Sequence, residues 1–321
     1  MKDLQELRLI FEKEIRNLSY PVSPNSLYDP IEYIIGLEAK RIRPLLLLMA
    51  YQIFDKDLAK ALSPAIAIEF FHNFTLLHDD IMDNAPIRRG SLTVHQKWNN
   101  NTAILSGDVM MIQAYSFLEK VDSGSLKAVL NIFNKTAVKV CEGQQWDMDF
   151  ETQENVDLGD YMQMIEYKTA VLLGASLQIG AITAGASQED QDHLYNFGVN
   201  IGIAFQLKDD LLDAFGSAES FGKQVGGDIL ENKKTFLYLK SLQLADNAIK
   251  KRLKDYYINN DKSEEKINSV KEIFISLDIQ KHTIDLMKTY YAKATAHLDA
   301  IKSKDKEPLV LFSEKLMHRL S

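Results

Sequence analysis

Two short acidic runs, Asp79-Asp80-Ile81-Met82-Asp83 and Asp209-Asp210-Leu211-Leu212-Asp213, repeat one spacing inside apolar, helix-like surroundings. At 100° per residue, positions i, i+1 and i+4 share an arc of about 100°, so each run aims three carboxylates at one patch. Six like charges turned towards a shared space repel unless a cation lies between them, and the pattern therefore predicts divalent metal. A single Asp-Asp-x-x-Asp reads as readily as a solvated helix face; two copies in apolar sequence do not. The runs lack the alternating oxygen ligands, turn glycine and closing glutamate of an EF-hand. Mg²⁺ takes few carboxylates and completes its shell with water and substrate phosphate, which suits carboxylates carried on two rigid helices.

Phosphate needs cations of its own. Lys40-Arg41-Ile42-Arg43-Pro44 opens an apolar helix, Arg88-Arg89-Gly90 follows the first acidic run, and Lys223 and Lys233-Lys234 follow the second. Arginine forks match phosphate oxygens in pairs, while lysine supplies a point charge. Each basic cluster alone reads as solvated surface, but adjacency to carboxylates twice over favours a diphosphate. Gly222-Lys223 is not a P-loop, because Gly216 is one residue too distant and Gln224 stands where Ser or Thr is required. His72 and His78 lack the partners of a zinc site.

The elements that must hold these groups are helices. Leu4, Leu7, Ile10, Phe11 and Ile15 follow an i, i+3, i+4 stripe, and Ile31, Ile34 and Ile35 continue in the same manner. Segments 165–186 and 197–215 are rich in Ala, Gly and Leu on nearly all sides, as in helices at the centre of a bundle. Hairpin signals are scarce, so the fold class is all-α. Breaks fall at 20–28, 85–86, 151–159, 216–228 and 259–266, none of them a long low-complexity linker, which makes 1–321 a single domain. With 46% hydrophobic residues in 321, a large core is available. A net charge of −8 argues against nucleic acid. One cysteine, Cys141, excludes an intrachain disulfide and suits a reducing cytoplasm. The N-terminus lacks a signal-peptide core and no apolar run is long enough for a membrane span.

These residues, in this order, resemble the trans-type isoprenyl diphosphate synthases, the farnesyl and geranylgeranyl diphosphate synthase family (polyprenyl synthetases). The resemblance covers essentially the whole chain. It rests on Lys40 to Pro44, Glu69 to Asp83 with Arg88-Arg89-Gly90, Gly107-Asp108, Gly143-Gln144 with Asp147, Lys168-Thr169, Phe205-Gln206 with Asp209 to Asp213, Gly222-Lys223, and Lys233. It implies an all-α bundle around a central cavity, of the isoprenoid synthase type, and a homodimer. It also implies a prenyltransferase that condenses isopentenyl diphosphate head to tail with an allylic diphosphate (dimethylallyl, geranyl or farnesyl). Asp79, Asp83 and Asp209 are then expected to ligate a cluster of about three Mg²⁺ ions, with Asp80, Asp210 and Asp213 as ligands or water-mediated partners. Arg88, Lys168, Lys223 and Lys233 are expected on the allylic diphosphate, and Lys40, Arg43, His72 and Arg89 on that of isopentenyl diphosphate. Lys168, Thr169 and Gln206 are expected to face the developing allylic cation, supported by Gln144 and Asp147.

The chain departs from the family's pattern twice. Glu38-Ala39 replaces a usual Gly-Gly, and Asn232 stands where glycine usually precedes the last lysine. Product length is read from Phe74 and Thr75. Phe74, five residues before Asp79, is expected ~7.5 Å deeper along the axis as a floor to the channel, and Thr75 is small. This pairing resembles short-chain enzymes making C15 to C20 products, leaning to geranylgeranyl diphosphate. The alternatives are a medium- or long-chain synthase, a class I terpene cyclase, which has no need of Lys40, Arg43 and Arg89, and a silent partner subunit, which generally loses one acidic run.

Overall fold

A computed structural model describes residues 2–216, 226–259, 261–303 and 305–318. Its elements are α1 (Leu4–Arg16), α2 (Asn25–Gly36), α3 (Ile42–Gln52), α4 (Ala59–Met82), β1 (Ile87–Arg88), β2 (Ser91–Leu92), α5 (Val94–Lys97), α6 (Asn100–Leu118), α7 (Ser123–Thr152) and α8 (Leu158–Ile165). A π-helical turn (Glu166–Ala170) leads into α9 (Val171–Thr183) and α10 (Gln188–Phe215). Then come α11 (Gly227–Leu230), α12 (Phe236–Leu244), α13 (Asn247–Ile258), α14 (Glu264–Ser276), α15 (Ile279–Ala300) and α16 (Glu307–His318).

The all-α expectation holds; helices end near the predicted breaks at 20–28, 85–86, 151–159 and 259–266, further breaks fall at 37–41, 53–58, 119–122 and 184–187, and most of the predicted break at 216–228 lies outside the described residues. In α1 the stripe Leu7, Phe11 and Ile15 is buried, and Asp3 starts the helix through a capping box with Glu6. Among the described residues the one departure from helix is the antiparallel pair β1–β2, with Arg88 opposite Ser91. Its two-residue loop, Arg89-Gly90, has φ of 53° and 73°. Positive φ at both central residues is the turn whose twist matches paired strands, and Gly90 adopts it without steric cost. The sequence signal was a lone Arg-Gly with almost no strand residues around it.

Contacts divide the chain into two compact units, residues 1–135, 173–195 and 298–321 in one, and 136–172 and 196–297 in the other. In the first, α4 packs along α6 and α3, and its buried residues run from Ala61 through Phe71 and Leu77 to Asp80. In the second, α8 packs against the π turn and α12, and α11 to α14 form a cluster around Leu253, Tyr257 and Phe274. Among the described residues no helix is long and apolar enough to cross a membrane.

Candidate active site

The first acidic run occupies the end of α4. Asp79 and Asp83 lie one helical turn apart, the Asp83 N–H donating to the Asp79 carbonyl over 2.9 Å, with Asp83 exposed and Asp79 half-buried. Asp80 differs from both in burial. Its side chain is buried, and Arg88 from the hairpin donates Nε to Oδ1 at 2.6 Å, while Arg88 Nη2 reaches Asp79 Oδ2 at 3.3 Å. Burial raises the Asp80 carboxyl to about 6 against the pull of Arg88.

The basic residues of this unit are organised around the same helix. His72, two turns N-terminal to the acidic run, lies 3.1 Å from Arg43 Nη1 through its Nε2. Burial, and then the surrounding guanidinium groups led by Arg43 and Arg89, hold the imidazole well below its ordinary pKa, so His72 is neutral. Burial and the neighbouring Arg89 lower Arg43 to about 10, still cationic at neutral pH. Lys40 is exposed on the loop before α3.

That loop needs no glycine pair. The Ala39 carbonyl accepts from Arg8 at 3.1 Å, while Arg41 donates to the Ile35 and Leu37 carbonyls, and neither Glu38 nor Ala39 has positive φ. The second departure is also accommodated. Asn232 has φ 58°, the left-handed conformation that Gly adopts most freely and Asn next, and its Oδ1 accepts from the buried Lys266 ammonium.

Phe74 and Thr75 differ in their relation to Asp79. Five residues along a helix is a rotation of about 140°, so Phe74 is turned away from Asp79, whereas Thr75 is nearly in line with it. The Phe74 ring stands edge-on to His78, centroids 4.8 Å apart, and tilts against Phe71 at 5.8 Å. Thr75 turns its hydroxyl back to the His72 carbonyl at 2.8 Å.

The second unit carries the remaining groups, in and around a cavity of about 130 Å³ lined by Asp147, Tyr161, Lys168, Thr169, Gln206, Asp210, Asp228, Lys233 and Lys234. The π turn presents Lys168 and Thr169 side by side, a widening that sequence periodicity does not register; such single wide turns occur frequently at functional sites. Helix α7 reaches it closely at Gly143, where a Cβ would lie 2.2 Å from the Lys168 amide nitrogen, so only glycine fits. One turn on, Asp147 Oδ2 lies 2.5 Å from Lys168 Nζ. Gln144 shares this helix.

Thr169 donates to Gln206 Oε1 at 3.2 Å, and Gln206 Nε2 donates to Asp210 Oδ1 at 3.2 Å. Tyr161, a residue the sequence reading did not single out, donates its hydroxyl to Asp210 Oδ2. Asp210 is thus buried with both oxygens engaged, and burial reinforced by Asp228 lifts its carboxyl to about 8. Asp213 is buried too and accepts from the Asp228 N–H at 3.0 Å, tying the returning chain to α10. Asp209 is half-buried. Lys233 pairs with Glu231 at 3.3 Å, and Lys234 donates to the Phe150 and Glu151 carbonyls at the end of α7. Lys223, expected on the allylic diphosphate, lies outside the described residues.

The sequence profile of the polyprenyl synthetase family matches residues 24–274. The chain belongs to the polyprenyl synthetase family. Among its relatives, a geranylgeranyl diphosphate synthase from Methanosarcina mazei is 35% identical over 291 residues, 90% of this chain and 88% of the relative. A short chain isoprenyl diphosphate synthase from Methanocaldococcus jannaschii is 38% identical over 256 residues, covering 79% of this chain and 78% of that protein. A crystal structure of a geranylgeranyl pyrophosphate synthase superposes with a TM-score of 0.94 at 45% identity over 99% of each chain. Read on this family, the acidic runs divide internally. Asp79, Asp83 and Asp209 remain accessible, while Asp80, Asp210 and Asp213 are buried on protein partners.

Among the described residues, no three His, Cys, Asp or Glu side chains converge tightly enough to hold a metal ion. The donor chemistry still fits Mg²⁺, whose shell takes few carboxylates and is completed by water and phosphate oxygens; Asp79 and Asp83, hard oxygen donors one turn apart, match that demand.

Proposed function

We propose that this chain is a prenyltransferase that joins isopentenyl diphosphate head to tail to an allylic diphosphate, giving an all-trans C15–C20 prenyl diphosphate, chiefly geranylgeranyl diphosphate, and free diphosphate. The observation that carries this reading is the second unit's cavity, where Lys168, Thr169, Gln206 and Lys233 converge. The names of the relatives support the substrate class and the short product.

Asp79, Asp83 and Asp209 would hold Mg²⁺, which supplies charge neutralisation for the departing diphosphate. Arg88, Lys168, Lys223 and Lys233 bind the oxygens of that diphosphate, and Lys40, Arg43, His72 and Arg89 those of isopentenyl diphosphate. The allylic C–O bond breaks with its electron pair going to the diphosphate. The side-chain oxygens of Thr169 and Gln206 lie along the developing cation, which fixed dipoles stabilise best in a site closed to water. The isopentenyl double bond then forms the new C–C bond, and the resulting tertiary cation loses its proton to the released diphosphate. Neutral His72 adds a hydrogen bond to the isopentenyl diphosphate among the arginines without adding to their mutual repulsion.

We read residues 1–321 as one catalytic domain, since the family profile draws on residues of both units. We also read the chain as a cytoplasmic homodimer; Ile104, Leu105 and Ile112 on α6 are exposed, and light scattering tests the assembly. Incubation with Mg²⁺, isopentenyl diphosphate and each allylic starter, followed by product chromatography, tests the activity. Geranylgeranyl diphosphate as the longest abundant product supports the proposal, and absence of turnover with every starter would sink it. Phe74→Ala is expected to lengthen the product; an unchanged distribution removes Phe74 as a chain-length determinant.

A further inference from the structure

Helix α4 carries a second polar stripe beside its acidic run. Glu69, Asn73 and Asp80 recur at i, i+4 and i+11, which places them within about 40° of one line down the helix, and each is nearly inaccessible at 1%, 0% and 1%. Each meets an arginine. Arg41 Nη1 donates to Glu69 Oε1 at 2.6 Å, Arg89 Nη1 to Asn73 Oδ1 at 3.1 Å, and Arg88 Nε to Asp80 Oδ1 at 2.6 Å. Asn73 Nδ2 donates to both the Glu69 carbonyl and Glu69 Oε1, at 2.7 and 3.0 Å, so the first two pairs form one network. Its far end is closed by Arg41, which also binds Glu12 and the Ile35 and Leu37 carbonyls.

Buried polar groups persist when they are fully paired, and a fully paired network fixes the geometry of its members. Arg89 needs such fixing. It sits at positive φ in a two-residue turn, on a hairpin of two residues per strand. So short a hairpin has little stability of its own. Arg41, for its part, anchors the loop that carries Lys40 and leads directly into Arg43. We propose that Glu69 and Asn73 are positioning residues for the isopentenyl diphosphate subsite, acting through Arg89 on one side and Arg41 on the other. This rests on the assignment of Lys40, Arg43 and Arg89 to that diphosphate.

The test is steady-state kinetics with each substrate varied in turn. Asn73→Ala, which removes the acceptor for Arg89, is expected to raise KM for isopentenyl diphosphate about tenfold. KM for the allylic diphosphate should stay within about threefold, because its cation Arg88 is held separately by Asp80. Asn73→Asp keeps an oxygen for Arg89 but sets it against Glu69 Oε1, so the rescue is read in the charge-exchanged pair Glu69→Gln with Asn73→Asp, which keeps one carboxylate and one amide there and should restore the isopentenyl KM. Asn73→Leu, which keeps the branched shape of Asn without its polar atoms, repeats the measurement should Asn73→Ala not fold. In an Arg89→Ala background, Asn73→Ala should add less than about twofold, since its route of action is already gone. Equal rises in both KM values, or additive effects in the double variant, overturn the inference. An inactive wild-type protein would instead overturn the proposed function itself, so the two failures are distinguishable.

Discussion

The two acidic runs share a spacing yet solve the burial of their middle aspartate in opposite ways. In α4 the buried Asp80 is answered by a cation, Arg88, and its carboxyl rises only to about 6. In α10 the buried Asp210 is answered by two neutral donors, Tyr161 and Gln206, with Asp228 nearby, and it rises to about 8. Asp80 is therefore anionic at neutral pH and fixes the charge and direction of Arg88. Asp210, lifted to about 8, favours its protonated form there, and it fixes Gln206 and, through it, Thr169. Motif identity conceals this difference, because it resides in what packs against the motif.

The comparison breaks most decisively at the accessible carboxylates, where the two runs should be alike. Asp79→Ala and Asp209→Ala are each expected to lower kcat by about 10³ or more, measured with saturating substrates and Mg²⁺. Should Asp209→Ala keep near-normal turnover, the runs are not functional equivalents.

The middle aspartates should diverge in stability. Arg88→Ala leaves Asp80 buried without its counter-charge and is expected to cost about 3 kcal/mol in urea unfolding. Tyr161→Phe removes one neutral hydrogen bond, and a loss of about 1 kcal/mol is expected. Equal losses would erase the distinction between a charged and a neutral clasp.

The middle aspartates should also differ in pH dependence, with effects smaller than the loss at Arg88→Ala. Asp210 has a folded-state pKa above its unfolded value near 4, so its contribution to stability is complete below about pH 4 and is lost as pH climbs through about 8. The metal-free protein should lose on the order of 1–2 kcal/mol between pH 6 and 8 from this group, and Asp210→Asn should flatten that decline. Asp80, also raised but only to about 6, loses its contribution between about pH 4 and 6, so Asp80→Asn should leave the slope from pH 6 to 8 almost unchanged. Thermal unfolding midpoints across pH in a chelator-containing buffer give both slopes.

Residue type and period carry far in this chain. Helical stripes located the elements, and the spacing of Asp79, Asp83 and Asp209 made their common chemistry legible, because i and i+4 share a helix face whatever surrounds them. Three parts were not legible. The hairpin that aims Arg88 and Arg89 apart depends on two successive left-handed residues, and arginine advertises no such conformation. The π turn displaying Lys168 and Thr169 is one residue out of a period that sequence alone assumes constant. Tyr161, Glu69 and Asn73 lie on apolar helix faces where polar residues read as isolated exceptions, and their partners Asp210, Arg41 and Arg89 come from elsewhere in the sequence. Asn232 was the converse case, a departure from family pattern whose backbone proves it equivalent to glycine.

The π turn also constrains what can be changed in this enzyme. A π turn amounts to an α-helix with one residue inserted, so deleting any one of Glu166–Ala170 should let α8 and α9 fuse into a regular helix. The five wide residues turn the chain about as far as four α-helical ones, so Tyr161 and Val171 would keep nearly their present phase, while Lys168 would be drawn back onto the regular spiral and leave the side chain of Asp147. The wide turn is thus a splice: it shows one residue more to the cavity without turning the flanking helices, and a single-residue deletion there should cost activity far more than stability.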